Sequence, residues 1–394
     1  MGCVTMRNDR NLLKAFLQQK QQSHLYRSPR ISESAQQPRM KIDGKPYLTF
    51  CSNDYLGLAN HPEIIKAFQQ AADKYGVGSG AAHLINGHSI EHQMLEEELA
   101  EFTGRDRALL FSTGYMANLG VVNALMERGD KIFADRLNHA SLIDAGLLSN
   151  AKMQRYPHND LTQLINLYHK NTTSNTMILS DGVFSMDGDT AKVKELAKIA
   201  KQHQAWLMID DAHGFGTLGK TGAGILEQQG LIQEDVPMLM ATLGKGIGTA
   251  GAFVAGNNDL IEYLIQTART YIFTTAMPPA IAAATRASLK LVQQENWRRE
   301  KLNMLIKQFK QGAKELGITL MPSDTAIQPI MIGSTEKAVS LSQQLQETGI
   351  LLTAIRPPTV PKNTARLRVT LSALHSEDDV EYLLDCLLKI GSIA

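Results

Sequence analysis

Among the residues of this sequence that could do chemistry, Lys245 is the most distinctive. It is the lysine of ATLGKGIGTA, residues 241–250. Lys245 follows a short apolar run, and glycines at positions 244, 246 and 248 leave it without neighbouring side chains. The lysines of KVKELAKIAK, residues 192–201, differ because they lie on a helical pattern with an acid nearby. The stretch therefore indicates either a lysine that forms a covalent bond with a ligand or a glycine-rich turn between two strands.

A second group of polar residues lies in DDAHGFG, residues 210–216. Asp210 and Asp211 follow the apolar run AWLMI, so they end a predicted parallel strand, where α/β sheets bind ligands. Acids in such positions are also common helix caps. Lys245, however, ends the next apolar run. A pyridoxal phosphate site requires an acid with a nearby histidine at one strand end and a lysine at the adjacent strand end. The lysine carries the cofactor as a Schiff base, and the carboxylate keeps the pyridine nitrogen protonated.

The segment GFGTLGKT, residues 214–221, matches the pattern of a phosphate-binding loop and gives a competing interpretation. Such a loop must connect a strand directly to a helix whose N-terminal amides face the phosphate. Here Asp-Ala-His follows the strand first, and Gly222 and Gly224 would fall in the first helical turn. Each glycine costs about 1 kcal/mol relative to alanine there, so the pattern argues against a nucleotide site.

The segment HSIEH, residues 88–92, matches the pattern of a zinc-binding helix. His88 and His92 would then share one helical face. Ser89 is a good N-cap for the amphipathic pattern IEHQMLEEELAEF, and a cap at this position would leave His88 outside the helix. We therefore favour a capped helix and expect no metal site.

The elements that must position these residues alternate along the chain. From about residue 107, short apolar runs alternate with helix-period segments, which predicts βαβ units and a mainly parallel sheet with helices on both faces, an α/β fold. An N-terminal helix and a hairpin turning at Asp43-Gly44 form an arm over residues 1–50. The large domain is expected over residues 51–290 and a smaller α+β domain over 291–394. One long helix is expected to begin near Pro278 and to continue past residue 310.

Composition limits the remaining classes of function. The 394 residues carry a formal net charge of +1, which gives no broad electrostatic surface for nucleic acid. Hydrophobic residues make up 43%, and no run approaches the roughly 18 apolar residues of a membrane-spanning helix. Cys3, Cys51 and Cys386 lie far apart, which argues against a disulfide framework and favours a reducing compartment. We expect a cytoplasmic protein.

Taken together, segments across nearly the whole chain resemble the α-oxoamine synthases. These are pyridoxal phosphate enzymes of the aspartate aminotransferase fold, fold type I. In family order the matching segments are SNDYLGL (52–58), STGYMAN (112–118), DRLNHASL (135–142), GVFSMDGD (182–189), DDAHGFG (210–216), TLGKG (242–246) and RPPTVPKNTARLRVTLSALH (356–375). The resemblance implies that the cofactor is pyridoxal 5'-phosphate and that the site lies between the subunits of a homodimer.

The resemblance also implies a role for each matching residue around the cofactor. Lys245 carries the cofactor, and Asp210 is the partner of its ring nitrogen. His213 hydrogen-bonds the ring oxygen and His139 stacks on the ring, so that Lys245, Asp210 and His139 are the catalytic set. The other cofactor positions are Gly114, Tyr115 and Thr242 at the phosphate, Ser185 beside the ring, and Thr274, which reaches the phosphate from the partner subunit. From the residues alone, His139 could equally be a helix cap and Ser185 a turn residue.

The resemblance assigns the substrate contacts to five residues. Asn53 and Arg368 hold the amino-acid carboxylate, Arg27 and Thr359 contact the acyl substrate, and His139 is a further substrate-binding residue. Arg27 could equally be a solvated charge at the end of the first helix. One departure from the family is GSGAAHLINGHS, residues 78–89, where His83 replaces an arginine or glycine common in relatives.

Within the family, AIRPPTVP together with FSMDGD and DRLNHASL favours one acyltransferase activity. It condenses L-alanine with a pimeloyl thioester, a step of biotin synthesis. Whether the acyl carrier is coenzyme A or acyl carrier protein stays open. Another family member that uses glycine and a different acyl thioester is the first alternative, and a nucleotide hydrolase that uses residues 214–221 is the second.

Overall fold

The structure is a computed structural model that describes residues 10–170 and 175–391. In these ranges the strands are β1 Arg39–Ile42, β2 Lys45–Thr49, β3 Arg107–Phe111, β4 Lys131–Asp135, β5 Lys152–Tyr156, β6 Thr176–Asp181, β7 Trp206–Asp210, β8 Met238–Thr242, β9 Ala252–Gly256, β10 Ile327–Gly333, β11 Ile350–Leu351, β12 Ala354–Ile355 and β13 Ala365–Thr370. The helices are α1 Arg10–Gln22, α2 Pro62–Tyr75, α3 Ile90–Thr103, α4 Gly114–Leu125, α5 Ala140–Leu148, α6 Leu161–His169, α7 Val193–Gln202, α8 Ile225–Gln229, α9 Asn258–Thr267, α10 Arg269–Ile272, α11 Pro279–Gln294, α12 Trp297–Glu315, α13 Thr335–Glu347 and α14 Glu377–Ile390.

The central element is a seven-stranded sheet in the order β3-β9-β8-β7-β6-β4-β5. Every pairing in it is parallel except those of β9, which is antiparallel to both β3 and β8. Helices α4, α5 and α9 pack on one face, and α6, α7 and α8 pack on the other. Because both faces are covered, β6 and β9 are buried along their whole length, which explains why consecutive apolar residues occur in both strands. The predicted α/β fold is confirmed.

Two smaller sheets complete the described fold. The predicted hairpin is confirmed: β1 and β2 pair across Asp43 and Gly44, whose φ angles of 51° and 77° suit a two-residue type I′ turn. Strand β2 also pairs in parallel with β11, so the N-terminal hairpin joins the C-terminal part of the chain. The other sheet has the order β10-β13-β12 and is antiparallel throughout.

The long helix expected after Pro278 is divided, so that prediction is wrong. Helix α11 ends at Gln294 and α12 begins at Trp297. The Arg299 guanidinium stabilises the break, because Nη1 donates to the Val292 carbonyl at 2.7 Å and Nη2 donates to Asn296 Oδ1 at 2.9 Å. A side chain of the second helix thereby satisfies a carbonyl near the end of the first. The domain boundary near residue 290 falls inside α11, and the three-part division stays a prediction.

Two further expectations concern the surroundings of the protein. Among the described residues, no helix is both long enough and apolar enough to cross a membrane. Cys51 is half-buried and Cys386 is buried, and both are free thiols, whereas Cys3 lies outside the described residues. The cytoplasmic location stays a prediction.

Candidate active site

A cavity of about 200 Å³ lies at the carboxyl ends of β6, β7 and β8. Eight of the predicted site residues line it: Gly114, Tyr115, His139, Ser185, Asp210, His213, Thr242 and Lys245. The parallel strands explain why residues from such distant segments meet, because their carboxyl ends open at the same edge of the sheet. Ser141, Asp181, Val183, Ala212 and Met240 complete the lining and were not predicted as site residues.

Lys245 lies in the turn after β8, and its Nζ is 2.9 Å from His213 Nε2. Gly248 allows this turn, since its φ is 72° and a Cβ there would lie 2.6 Å from the backbone nitrogen of Ala59. Burial lowers the pKa of Lys245 to about 8, although Asp210 and Asp181 act in the opposite direction. The amine therefore loses its proton more readily than an exposed lysine does, which suits both a nucleophile and a base.

The two acids of DDAHGFG have different roles. Asp210 ends β7 and lines the cavity, where its Oδ1 accepts from the Ala212 backbone N–H at 3.0 Å. Its Oδ2 accepts from Asn118 Nδ2 at 2.8 Å. Asp211 is fully buried, and its Oδ2 accepts from the Ile225 N–H at the start of α8 at 2.7 Å. Only Asp210 is available to a ligand, whereas Asp211 anchors a helix.

A chain of hydrogen bonds connects the lysine to the residues predicted to hold the amino acid. His213 Nδ1 lies 2.5 Å from Tyr55 Oη, which lies 3.2 Å from Asn53 Oδ1. That oxygen accepts from both terminal nitrogens of Arg368 at 3.3 Å. Burial lowers the pKa of His213 well below its usual value, and the nearby Lys245 acts in the same direction. His213 is therefore neutral and connects Lys245 to Tyr55. Tyr55 was not predicted as a site residue from the sequence.

Arg368 reaches this region from β13. Its Nε donates to the Ser185 carbonyl at 2.6 Å, and its Nη1 donates to Thr370 Oγ1 at 3.1 Å. The contacts hold the guanidinium beside the cavity, and its long bonds to Asn53 leave room for a carboxylate to compete. Asn53 and Arg368 are thus together, as predicted, although neither lines the cavity itself.

His139 takes the N-cap position of α5, which agrees with its interpretation as a helix cap, whereas its stacking on the cofactor ring stays a prediction. Its backbone N–H donates to the Asp181 carboxylate, 3.1 Å to Oδ2, and its Nδ1 lies 2.7 Å from Ser141 Oγ. Burial lowers the pKa of His139, with Asp210 opposing the effect. Burial and the neighbouring Asp210 raise the pKa of Asp181 well above its usual value. The ring of His139 therefore faces the cavity as a neutral group held by its own helix.

The opposite end of the cavity fits a phosphate. Gly114 is the first residue of α4, and Thr113 caps this helix by accepting from the Met116 N–H at 3.2 Å. A Cβ on Gly114 would lie 2.6 Å from Thr242 Cγ2, so only glycine lets the helix end approach Thr242. Free N–H groups at a helix N-terminus attract anions. The residues present thus fit a phosphorylated aldehyde: an anion site, a buried lysine and a carboxylate in one cavity.

The remaining predicted residues lie outside the cavity. Arg27 Nη2 donates to Thr359 Oγ1 at 2.9 Å, and both line a separate cleft of about 830 Å³ with Arg356. Arg356 Nη2 donates to the Tyr26 carbonyl at 2.6 Å, which closes one wall of the cleft. Thr274 does not line the cavity of its own chain. Its predicted contact through the partner subunit stays a prediction.

The two histidines of HSIEH form a cluster with His83 in which one ring nitrogen of each lies within 4.8 Å of the others. Ser89 caps α3, and His92 Nδ1 accepts from the Ser89 backbone N–H at 2.9 Å. His92 Nε2 lies 2.7 Å from the Met277 carbonyl, to which it donates. His83 and His88 lie close to His92, but His92 has no free lone pair for an ion. The predicted helix cap is confirmed.

The nucleotide interpretation of residues 214–221 fails. No helix follows directly, since α8 begins only at Ile225. The Glu227 carboxylate accepts from the Thr221 N–H at 3.0 Å and from the Ala223 N–H at 3.0 Å. The amides that a phosphate would need are therefore already bound to an internal carboxylate.

This fold and this site define a class of protein, which comparison with known proteins confirms. The chain belongs to the aminotransferase class I and II family, whose sequence profile matches residues 45–387. It resembles solved fold type I enzymes, including the serine palmitoyltransferase of Sphingomonas wittichii, with 30% identity, a TM-score of 0.91 and coverage of 99% and 98% of the two chains. A serine palmitoyltransferase from S. paucimobilis, equally similar in identity and TM-score, was solved with a PLP-myriocin aldimine. The chain is a pyridoxal phosphate enzyme, as predicted.

The more similar relatives point to one member of this class. The chain is 60% identical over 367 residues to the 8-amino-7-oxononanoate synthase of Saccharophagus degradans, covering 93% of this chain and 92% of the relative. It is 59% identical over 375 residues to the synthase of the same name from Pseudomonas savastanoi, covering 95% and 94%. The solved Francisella tularensis 8-amino-7-oxononanoate synthase has 34% identity, a TM-score of 0.77 and coverage of 87% and 97%. The predicted resemblance to an acyltransferase of biotin synthesis is confirmed.

Proposed function

We propose that this chain condenses L-alanine with a pimeloyl thioester to give 8-amino-7-oxononanoate, carbon dioxide and a free thiol. The observation that carries the proposal is the hydrogen-bonded connection between Lys245 and the Asn53–Arg368 pair. This connection supports the proposal because it joins an amine of lowered pKa to a guanidinium that would bind an amino-acid carboxylate. The names of the similar relatives give the product, and the sequence resemblance supplies the choice of L-alanine and a pimeloyl thioester as substrates.

The cofactor would be held by the residues that surround the cavity. The N-terminal amides of α4 and the Thr242 hydroxyl would bind its phosphate, and Asp210 would face the ring nitrogen. Lys245 would form the covalent attachment. When bound, pyridoxal phosphate withdraws electrons from the α-carbon of the amino acid, which makes the α-proton acidic.

The chain's own residues would then orient the alanine and move its proton. Arg368 offers a planar guanidinium that grips a carboxylate with two hydrogen bonds, and Asn53 supports it. Lys245, once free of the cofactor, is a base whose pKa near 8 matches proton removal close to neutral pH. His213 and Tyr55 extend from this amine towards Asn53, so the base and the carboxylate site share one hydrogen-bond network.

The acyl substrate would enter from the cleft that Arg27 and Thr359 line. The α-carbon of alanine attacks the thioester carbonyl and the thiol leaves, after which the β-keto acid loses carbon dioxide. Arg27, Arg30 and Arg356 line this cleft, and Asp43 offsets one of these three cations, so the remaining positive charge favours an acyl chain that carries a distal anion. A pimeloyl group has such an anion when its far end is a free carboxylate.

Purified protein with added cofactor should release thiol from pimeloyl-coenzyme A when L-alanine is present but not when no amino acid is present. We expect turnover with glycine to be at least tenfold lower, and acetyl, succinyl and long-chain acyl thioesters to be poor substrates. Thiol release and the masses of the products measure this directly. Activity with glycine but not with alanine would instead assign the chain to another α-oxoamine synthase reaction.

We also propose that two copies of the chain form the working enzyme. Residues 77–90 and the segment at residue 273 are joined by a bridge between Ala82 and Thr275. Together they expose large apolar side chains, namely Val77, Leu84, Ile85, Ile90 and Phe273. A second copy would cover this patch and bring Thr274 towards the partner's phosphate site.

Sedimentation should accordingly give a mass twice the 43.3 kDa of one chain. Phe273→Glu is expected to shift the protein towards monomer and to reduce activity in parallel, because a buried charge would oppose association. Ile232→Glu, at another exposed apolar position, is the matched control and should leave both unchanged. A fully active monomer would exclude a shared site.

A further inference from the structure

Two buried polar side chains that were not predicted connect His139 to Asp210. Asn118, on α4, is fully buried, and its Nδ2 lies 2.8 Å from Asp210 Oδ2 and 2.8 Å from Ser141 Oγ. Ser141 is in the first turn of α5, and its Oγ lies 2.7 Å from His139 Nδ1. The four side chains therefore form one continuous hydrogen-bonded path along the wall of the cavity.

The direction of each hydrogen bond on this path follows from the donors available. An asparagine amide nitrogen carries two hydrogens, and here one goes to Asp210 and the other to Ser141 Oγ. Ser141 Oγ accepts from Asn118 but has a second lone pair, so the direction of its bond to His139 Nδ1 is set by the other donor at that ring nitrogen. The Ser141 backbone N–H approaches the same ring nitrogen at 3.3 Å. Nδ1 is therefore an acceptor, and the proton of the neutral ring lies on Nε2.

The orientation of the Asn118 amide is also determined. Exchanging its oxygen and nitrogen would place Oδ1 2.8 Å from the Asp210 carboxylate, where two acceptors would repel each other. In the observed orientation Asn118 Oδ1 is buried and has no hydrogen-bond partner in the described structure. An unpaired buried acceptor is unfavourable, so the two bonds donated towards the site are kept in spite of that cost.

We propose that Asn118 and Ser141 are positioning residues that hold His139 as a neutral imidazole with its proton on Nε2 and fix this ring relative to the Asp210 carboxylate. The charged groups that face His139 are Asp210, Lys245 and Asp144, with the Asp181 carboxylate on its backbone N–H. A ring held in this way can donate one hydrogen bond into the cavity from Nε2 but cannot accept a proton there. Removal of the α-proton is then left to Lys245. The roles of His139 and Asp210 rest on the proposed function, whereas the proton positions do not.

The proton position can be measured without substrate or turnover. In protein labelled with ¹³C and ¹⁵N at histidine, ring carbon and nitrogen shifts distinguish the two neutral tautomers, and His139→Asn identifies the signal. We expect His139 of the unaltered protein to be neutral at pH 7 with its proton on Nε2. A ring with its proton on Nδ1, or a charged ring, would overturn the proposal without any variant.

Ser141→Ala tests the path itself. Without the hydroxyl, Nδ1 loses its closest donor, so the pKa of His139 should rise and the Nδ1-protonated form should appear. Ser141→Thr keeps the hydroxyl and should restore the original signal. Ser149→Ala is the matched control, since Ser149 is a buried serine at the end of the same helix whose hydroxyl donates to the Gly146 carbonyl. Unchanged His139 shifts in folded Ser141→Ala would disprove the role of Ser141.

Steady-state kinetics distinguish a failure of the proposed positioning role from a failure of the proposed reaction. If both hold, kcat of Ser141→Ala should fall up to about tenfold, in line with the loss of one hydrogen bond, and Ser141→Thr should recover most of it. If the protein has the predicted tautomer but no activity with alanine and any pimeloyl thioester, the proposed function is wrong and the positioning role stands. Asn118→Leu removes both donated bonds and should shift the same His139 signal, whereas Asn123→Leu on the same helix should not.

Discussion

Lys245→Ala is expected to abolish the yellow colour of the holoenzyme and to lower turnover by at least about a thousandfold, since proton transfer by one positioned side chain alone contributes roughly 10²–10⁴-fold. The variant loses both the covalent attachment and the base of lowered pKa. Visible absorbance after addition of cofactor and removal of the excess measures the first loss, and thiol release measures the second. The protein should still fold, because shortening a buried cation removes an unfavourable desolvation.

Two variants control this experiment. Lys245→Arg keeps a positive charge but cannot form an imine, so it should be as inactive as the alanine variant. Lys220→Ala alters the exposed lysine of GFGTLGKT and should keep full colour and activity. Wild-type rates in Lys245→Ala would refute the assignment of the lysine, and loss of activity in Lys220→Ala alone would revive the nucleotide interpretation.

Arg368→Ala should raise KM for L-alanine and lower kcat/KM by roughly 10²–10⁴-fold, because two hydrogen bonds to a charged carboxylate contribute about 1.5–3 kcal/mol each. The KM for the pimeloyl thioester should change little, since Arg27 and Thr359 line a different cleft. Steady-state kinetics with each substrate varied in turn separates the two effects. An equal rise in both KM values would show that the whole site had been disturbed.

The matched pair for this prediction lies on one strand. Arg368→Lys keeps the charge but loses the planar fork, so it should recover only part of the alanine affinity. Arg366 is also buried on β13, but its guanidinium contacts Asp187 instead of the amino-acid site. Arg366→Lys should therefore leave KM for alanine close to that of the unaltered protein. A similar loss in both lysine variants would indicate an effect on the strand and not on carboxylate binding.

Much of the fold was predictable because the spacing of apolar residues and the residue types that form turns are local features of the sequence. The apolar runs that became β6 and β9 are buried on both faces, and Asp43-Gly44 suits only a tight hairpin turn. The break between α11 and α12 was missed for the opposite reason. The helical pattern continues through it, and the Arg299 side chain that stabilises the break gives no local signal.

The site residues also separate into those that local sequence patterns identify and those that they do not. Lys245 and Asp210 could be found from the residues alone, because they end adjacent apolar runs. Arg368 and Asn53 lie 315 positions apart and were found only through the resemblance to a family. Tyr55, Asn118 and Ser141 were missed, because nothing in their sequence distinguishes them from ordinary buried polar residues. A search for polar residues within two positions of the predicted site residues would have included Ser141, two positions after His139.

The parallel pairing of β2 with β11 has a consequence for synthesis of the chain on the ribosome. Leu48 pairs with Ile350, so the third strand of this sheet emerges about 300 residues after the hairpin that it completes. At a translation rate of roughly 5–20 residues per second, one edge of the hairpin keeps unpaired backbone N–H and C=O groups for tens of seconds. Its tight turn can form early, but its last neighbour is available only after residue 351 has been translated.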